Sequence, residues 1–252
     1  MKFLSIFFFL LISSNALSAK GRDIYVIKVY HLADGKQERL VDDYLQHAYL
    51  PTLHKFNIKH IGVFKPIEST EKLTYVLIPF KSIEMYLQLE SKLASDEAYQ
   101  QLGKEYLNAA HDQPAYTRIE TILLTAFDKS PTYHIPALTG PSEKRVYELR
   151  SYEGPSERLY KNKVDMFNNG DEVGLFMRLG FNAVFYGEVL AGSKMPNLMY
   201  LTTFENRKSR DEHWKKFEQD AYWKKLSSMP AYQHNVSHAD ITLLYPTTYS
   251  DF

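Results

Sequence analysis

Cysteine is absent from this chain of 252 residues. Its absence excludes disulfides, thiolate catalysis, thiolate-ligated zinc and iron–sulfur clusters. The sequence also lacks a glycine-rich phosphate loop, a G-x-S-x-G nucleophile elbow and an H-E-x-x-H zinc helix. Neither sign of charge dominates, with 30 basic and 30 acidic residues. We therefore expect no nucleic-acid partner, because a polyanion-coating protein carries an excess of positive charge.

The first nineteen residues have the pattern of a secretory signal peptide. Lys2 provides a positive start, residues 3–12 are apolar, and residues 13–19 are mostly small and polar. A membrane-spanning helix needs about 20 apolar residues, so this run is too short to be one. We predict cleavage after Ser18 or Ala19, an exported protein that is periplasmic or secreted, and no transmembrane segment after cleavage. An uncleaved membrane anchor is the alternative.

The rest of the chain repeats itself. Ile24–Tyr30 reads IYVIKVY and Val146–Tyr152 reads VYELRSY, with both tyrosines recurring 122 positions later. The tripeptide Pro-Ala-Tyr also occurs in both halves, at 114–116 and at 230–232. Elements that recur in one order indicate a tandem duplication. The predicted organisation is a signal peptide at 1–19, a first domain at 22–128, a linker at 129–144 and a second domain at 145–252.

Hydrophobic periodicity predicts the order βαββαβ in each half. Strands are expected at 24–30, 60–67, 73–80, 117–127, 146–152, 182–190, 197–204 and 236–245, and helical stretches at 36–56, 82–107, 156–179 and 207–226. This order predicts an α+β fold of two tandem ferredoxin-like repeats, each with both helices on one face of an antiparallel sheet. The exposed sheet faces must be covered, so we expect them to close an internal pseudo-dimeric α/β barrel. A homo-oligomer is the competing way to cover the same faces.

Several long motifs resemble the NIPSNAP family in its two-domain exported form. They are YELRSYE (147–153), FNNGDEVGLFMRLGFNAVFYGEVLAGSKMPNLMYLTTFE (167–205), RDEHWKKFEQDAYWKKL (210–226) and, in the first half, YLPTLHKFNIKHIGVFKP (49–66). The resemblance covers essentially the whole mature chain and implies domains of the dimeric α/β-barrel type. It supplies no set of catalytic residues. Related barrel families include cofactor-independent oxygenases, haem-degrading enzymes and small isomerases, an analogy at the level of the fold.

The two repeats place a cation and a tyrosine at equivalent positions. Lys28 and Tyr30 in the first repeat correspond to Arg150 and Tyr152 in the second. Side chains alternate between the faces of a strand, and the more apolar set is expected to meet the helices. We therefore expect these four side chains to point into the barrel.

A buried Arg150 needs a negative partner. The partner is either a carboxylate, Glu148 or Glu188, in a structural ion pair, or an anionic ligand. The predicted ligand-binding set is Lys28, Tyr30, Glu148, Arg150, Tyr152, His234 and His238.

Histidines provide only a weak metal signal. His234, His238 and Asp240 share one face of the last strand if that strand is regular. Residues four apart on a strand are about 13 Å apart, which is too far for two of them to share an ion at bond lengths of about 2 Å. No metal is predicted. No cofactor is predicted either, although a haem would need only one axial histidine, for which the candidates are His47, His54, His111 and His238.

Two classes of function fit these residues. The favoured class is a binding module for a small hydrophobic or anionic molecule or for a protein partner. The alternative is a cofactor-independent or haem-linked oxidoreductase acting on an aromatic or quinone-like substrate in the barrel cavity. There a histidine would accept the proton and Arg150 would steady the anion. An open cavity where a histidine and Arg150 converge would favour the enzyme, and a filled barrel an interaction role.

Overall fold

The computed structural model describes residues 21–252, so the predicted signal peptide lies outside the described residues. The first half contains β1 (Ile24–Leu32), α1 (Gly35–Tyr44), a π-helix (Leu45–Tyr49), α2 (Leu50–Lys55), β2 (Gly62–Pro66), β3 (Lys72–Phe80), α3 (Ile83–Leu87), α4 (Leu89–Ser95), α5 (Glu97–Leu102), α6 (Lys104–Leu107) and β4 (Arg118–Ala126). The second half contains β5 (Val146–Glu153), α7 (Glu157–Asn168), α8 (Glu172–Arg178), β6 (Phe185–Ala191), β7 (Asn197–Phe204), α9 (Arg207–Gln219), α10 (Ala221–Ser228) and β8 (His238–Pro246). Within residues 21–252, no helix is both long and apolar enough to span a membrane.

The eight strands form one closed barrel. Their order around it is β1-β3-β2-β8-β5-β7-β6-β4, and every neighbouring pair is antiparallel. Within each half, the fourth strand pairs with the first, the first with the third and the third with the second. The pairs β2–β8 and β4–β6 join the two halves. The expected barrel is confirmed, and its closure within one chain leaves no unpaired sheet edge among residues 21–252.

The first helical stretch is interrupted beside Pro51, a residue that a regular helix interior does not accommodate. A π-helix precedes α2, and the N–H of Leu50 bonds to the carbonyl of Leu45, five residues back. Pro51 then occupies the first turn of α2, where its missing N–H costs little. The second stretch divides where Asp96 accepts the N–H of Tyr99 and so begins α5. Local sequence signals therefore set these helix boundaries.

The barrel interior is apolar and draws on all eight strands. Its buried core comprises Tyr25, Ile27, Val29, Phe64, Leu77, Leu124, Ala126, Tyr147, Leu149, Val184, Phe185, Val189, Met199, Leu201 and Leu244. Two further cores lie outside the barrel, one under the helices of each half. The barrel therefore belongs to both halves, whereas each outer core belongs to one.

The predicted orientation of four candidate residues is wrong. Tyr30 belongs to the outer core of the first half, and Lys28 Nζ lies 5.4 Å from the ring centroid of Tyr49 in the π-helix. Tyr152 packs on the outer core of the second half, and Arg150 contacts α9. These side chains face the helices. The physical reason is closure: a barrel interior is walled by sheet on every side and takes the most apolar face, whereas amphipathic helices can supply partners for charges.

The C-terminal tail closes one end of the barrel. The ring of Phe252 lies 6.1 Å from that of Phe64 and 6.4 Å from that of Tyr147. The carboxylate of Asp251 accepts the N–H of Ile61 and contacts His54 Nε2, both at 2.8 Å. The tail thus plugs this end with an aromatic ring, which accounts for an extension whose role the sequence does not show.

Candidate functional site

A cleft that could hold a ligand lies between the sheet and the helices of the second half. This opening, the Trp214 cleft, has a volume of about 500 Å³. It is lined by Arg150, Tyr152, Lys163, Glu172, Phe176, Tyr200, Arg210, Trp214, Phe217, Glu218, Trp223, Val236, Ala239 and Ile241. The lining combines six aromatic rings with three basic side chains, so it suits a flat molecule that carries negative charge.

A buried carboxylate organises the base of the cleft. Glu148 is fully buried and accepts hydrogen bonds from Arg150 Nε at 2.6 Å, Arg210 Nε at 2.7 Å and Trp214 Nε1 at 2.8 Å. Burial by itself raises the pKa of Glu148, but the bonds from Arg210 and Trp214 and the charge of Arg150 outweigh it and hold the pKa below its ordinary value. Glu148 is therefore ionised at neutral pH and fixes both guanidinium groups.

Arg150 connects this carboxylate to the aromatic wall. Its guanidinium carbon lies 3.6 Å from the centroid of the Trp214 ring, a cation–π contact. Its Nη1 donates to the hydroxyl of Tyr152 at 2.9 Å, and that hydroxyl is 2.9 Å from the hydroxyl of Tyr200. The predicted ion pair with Glu148 is present, while Glu188 contacts Lys161 instead.

The two arginines of the cleft share one carboxylate that is shielded from water. Lys163 and Glu172 form an almost fully buried ion pair at 2.8 Å and are neutral together. Arg150 and Arg210 share the single buried carboxylate at the base. Arg210 also pairs with Asp211 at 2.9 Å, but Asp211 and Glu218 are exposed and therefore solvated. Arg150 and Arg210 thus have only one counter-ion that is shielded from water, and a guest anion could act as a second.

Two short spacings create this arrangement. Glu148, Arg150 and Tyr152 alternate along β5 and so share one face of the strand. Arg210 and Trp214 are four residues apart on α9 and so share one face of the helix. Sequence reasoning found the strand set and missed the helix set. The sequence shows that Arg210 and Trp214 are four residues apart, but it does not show which strand α9 covers.

Lys28 and Tyr30 do not join this site, because they occupy the equivalent position under the helices of the first half. Val26 stands there in place of Glu148. Within residues 21–252, Lys28 has no carboxylate at ion-pair distance and the buried hydroxyl of Tyr30 has no hydrogen-bond partner.

The two predicted histidines also lie apart from the cleft. His234 is exposed and precedes β8 in a turn with φ of 56°, so the condition of a regular strand is not met and His234 does not share a strand face with His238 and Asp240. His238 begins β8 and bonds to Asp240. The seven predicted residues therefore do not form one site, and three of them, Glu148, Arg150 and Tyr152, come together.

The four candidate haem ligands do not fit the Trp214 cleft. His47, His54, His111 and His238 are all exposed, and none of them lines it. His54 is bonded to the C-terminal tail and His47 to a carbonyl of its own helix. The residues around the cleft thus offer no imidazole for an axial bond to a haem.

A second cavity opens at the end of the barrel opposite the tail. This cavity, the barrel mouth, has a volume of about 300 Å³ and an apolar floor that includes Val29, Leu149 and Met199. His31 reaches its wall and contacts Glu120 at 2.9 Å. Sequence reasoning missed His31 because β1 continues to Leu32, two residues beyond the predicted strand. The available signal was the alternation of side chains along the strand: His31 follows Val29 by two residues and so shares its inward face.

The fold, with the Trp214 cleft and the barrel mouth, defines an antiparallel α/β-barrel protein with space for small molecules. Three solved structures share this architecture, with TM-scores of 0.60, 0.57 and 0.56. The first is a provisionally named monooxygenase from Lactobacillus acidophilus NCFM, 10% identical, covering 89% of this chain and 94% of its own. The second is a provisionally named monooxygenase from Fusobacterium nucleatum that is 8% identical, and the match covers 90% of this chain and 93% of that chain. The third is an anthrone oxidase-like protein, 14% identical, covering 92% and 94%.

A family match comes from the sequence of the second half. Residues 147–251 match the NIPSNAP family model. This match confirms the resemblance that the motifs at 147–153, 167–205 and 210–226 predict. No curated protein matches the chain. The identities of the three solved structures are low, so they establish the fold alone.

Proposed function

We propose that the protein binds a small, flat, anionic aromatic molecule in the Trp214 cleft. The observation that carries this proposal is the pairing of two partly buried guanidinium groups, Arg150 and Arg210, with the one fully buried carboxylate of Glu148, while the other carboxylate on Arg210, that of Asp211, is exposed. Arginine recognises carboxylates and similar anions through its planar fork of donors, and it retains its charge when buried. A guest carboxylate or phenolate would give these guanidinium groups a second counter-ion that is shielded from water.

The aromatic wall supports a flat guest. Trp214, Phe217 and Trp223 form a connected set, with ring centroids 5.4 Å and 4.4 Å apart. Tyr152 and Tyr200 stand on the opposite, sheet side of the cleft. An aromatic guest between these walls would gain stacking and edge contacts in addition to the burial of its apolar surface.

Binding is preferred over catalysis because the two features expected of an enzyme lie in different cavities. Arg150 lines the Trp214 cleft, which includes no histidine, and His31 lines the barrel mouth. His31 lies on the face of β1 that points into the barrel, whereas Arg150 lies on the face of β5 that points towards the helices. The two side chains therefore cannot act on one substrate.

The two tryptophans of the chain provide a direct test. Both Trp214 and Trp223 line the cleft, and the chain contains no others. A guest in the cleft should therefore change the whole intrinsic tryptophan fluorescence. We expect 2-naphthoate to change the emission saturably and to raise the melting temperature, whereas the neutral 2-naphthamide should bind at least tenfold more weakly. Isothermal titration calorimetry gives both affinities without optical interference.

Variants separate the cleft from unspecific binding. Arg150→Met should weaken naphthoate binding and reduce the difference between naphthoate and its amide. Lys224→Met, which removes an exposed lysine on α10, is the matched control and should change neither. Equal affinity for acid and amide, or naphthoate binding that survives Arg150→Met, would refute the proposal.

A cofactor-independent oxidase is the second candidate. The linked hydroxyls of Tyr152 and Tyr200, with Arg150 Nη1 2.9 Å from the first, could orient a quinol oxygen, and the fold is shared with a protein named as anthrone oxidase-like. Oxygen uptake with 1,4-naphthohydroquinone, compared with the Tyr152→Phe variant, tests this reading. Uptake no faster than in buffer would exclude this activity.

We infer that the barrel consists of two ferredoxin-like repeats in one chain, with 22–128 and 145–252 as repeats and 129–144 as linker. The shared strand order of the two halves supports this reading. Introducing a protease site between Ile135 and Gly140 tests whether the halves remain associated after cleavage, as a shared core requires. Native mass spectrometry of the uncut protein would show whether a homo-oligomer also forms.

We also propose that the protein is exported. The charge and apolar pattern of residues 1–19 supports this location. N-terminal sequencing of the protein recovered after expression should find a start at Ala19 or Lys20. A start at Met1, in material that remains in the cytoplasm, would exclude export.

A further inference from the structure

Three side chains with metal-ligating groups converge beside the barrel mouth, which one of them, Asp240, lines, on the opposite face of the sheet from the Trp214 cleft. They are Glu153, His238 and Asp240, and we name them the mouth cluster. One ligand atom from each lies within 4.8 Å of the other two. His238 Nε2 and Asp240 Oδ1 are 3.0 Å apart.

The barrel itself holds these three residues in place. Glu153 is the direct cross-strand partner of His238 in the β5–β8 pair, and Asp240 follows His238 by two residues. Side chains directly opposite or two apart share one face of a sheet. The cluster is therefore built on paired strands, which position ligands better than a loop does.

A fourth polar group, on the strand next to Glu153, lacks a partner. Asn197 is the cross-strand partner of Glu153 in the β5–β7 pair, is 2% exposed and lines the barrel mouth. Its Nδ2 donates to Ser151 Oγ at 2.7 Å. Within residues 21–252, its buried Oδ1 has no hydrogen-bond donor. A buried acceptor without a donor is costly, and a cation or its bound water satisfies such an oxygen.

We propose that the mouth cluster binds a first-row transition-metal dication such as Zn²⁺. Glu153, His238 and Asp240 would be its protein ligands, and the oxygen of Asn197 would bond to the ion or to a water on it. Two carboxylates balance a dication, and an imidazole favours zinc and its neighbours over magnesium and calcium. Three protein ligands leave a coordination position open towards the barrel mouth.

Lys194 competes with a metal ion for Asp240. Its ammonium group forms an ion pair with Asp240 Oδ2, and half of its side chain is exposed. A metal ion that takes Asp240 must displace this ammonium group. Removing the charge of Lys194 should therefore strengthen metal binding, whereas a cluster held together only as a surface ion-pair network would show no such effect.

The test is a titration of the protein, without a histidine tag and after chelator treatment, with Zn²⁺ by isothermal titration calorimetry. We expect one saturable site, loss of at least tenfold in affinity in His238→Ala and in Asp240→Asn, and tighter binding in Lys194→Met. Co²⁺ should give visible d–d absorption that disappears in His238→Ala, and Mg²⁺ should not compete at equal concentration. Circular dichroism would verify that each variant is folded.

His234→Asn is the matched control, since His234 is also exposed, lies four residues before His238 and is not part of the cluster. Its zinc affinity should equal that of the unchanged protein. Zinc binding that survives both cluster variants, a loss of affinity in His234→Asn, or the absence of saturable binding would overturn the proposal.

Discussion

Replacement of Glu148 by glutamine is the most direct perturbation of the Trp214 cleft. The glutamine has nearly the same shape but no charge, so two guanidinium groups lose their shared counter-ion. The side chain of Glu148 is 0% exposed, and those of Arg150 and Arg210 are 12% and 19% exposed. Water therefore cannot replace the lost charge at little cost. Removing one partner from a buried ion pair costs about 3–5 kcal/mol.

The expected loss is large enough to measure in two independent ways. Each kcal/mol shifts the melting temperature of a chain of this size by roughly 2–4 °C, so Glu148→Gln should melt about 6–20 °C lower. Guanidinium chloride unfolding, followed by tryptophan fluorescence and circular dichroism together, gives the free energy of unfolding if both signals change at one midpoint.

Two further variants show whether the charge is the cause. Glu212→Gln removes an exposed carboxylate of α9 whose only ion pair among the described residues, with Lys208, is 3.9 Å long, and it should change stability by less than about 0.5 kcal/mol. Adding Arg210→Met to Glu148→Gln should recover part of the loss, with a coupling energy of about 0.5–3 kcal/mol. If Glu148→Gln is as stable as Glu212→Gln, the cleft does not depend on this carboxylate and the reasoning is refuted.

Three other predictions concern pH and packing. The pKa of Glu148 in the folded protein is below its ordinary value. Its contribution to stability is therefore present above about pH 4.3, the pKa of an unperturbed glutamate, and is lost as the pH falls through the folded pKa. The free energy of unfolding, measured between pH 7 and pH 3, should fall less steeply with pH for Glu148→Gln than for the unchanged protein. Burial lowers the pKa of Lys28, so the folded state binds the proton of this side chain less tightly than the unfolded chain does. Lys28→Met should therefore raise the melting temperature at pH 7, and the gain should shrink as the pH approaches about 10.4, the pKa of an unperturbed lysine; a destabilised variant would contradict this. Phe252→Ala removes a partly buried plug from Phe64 and Tyr147 and should cost about 1–3 kcal/mol in denaturant unfolding, less than a fully buried phenylalanine, whereas an unchanged midpoint would show that the tail does not close the barrel.

Local sequence determined most elements of the fold. The apolar run of β7 predicts Asn197–Phe204, and the structure has the same residues. Ser82 and Ser156 cap helices where the sequence predicts their starts. Such agreement is expected because strand alternation, helix caps and proline act over a few residues. The end of β1 differs, because pairing with β3 and β4 extends the strand past the apolar run as far as Leu32.

Part of the Trp214 cleft was also accessible from sequence. Glu148, Arg150 and Tyr152 are two residues apart along one strand, which places them on one face wherever the strand lies. Their partners Arg210 and Trp214 are about 60 positions further along the chain, and nothing local indicates that α9 covers β5. The ion pair could be predicted, whereas the shared carboxylate and the aromatic wall could not.

Which face of each strand is buried in the barrel was decided only by the tertiary structure. Alternation divides β1 into two sets of side chains, but it does not indicate which set meets helices and which meets the opposite wall of the barrel. Closure resolves this: the interior excludes unpaired charge from all sides, so Tyr25 and its neighbours point inward and Lys28 points outward. The mouth cluster has the same origin, because Glu153 and His238 are 85 positions apart in the chain and become neighbours only through the β5–β8 pairing. Sequence determines what a strand can present on each face, and the pairing of strands determines what those faces meet.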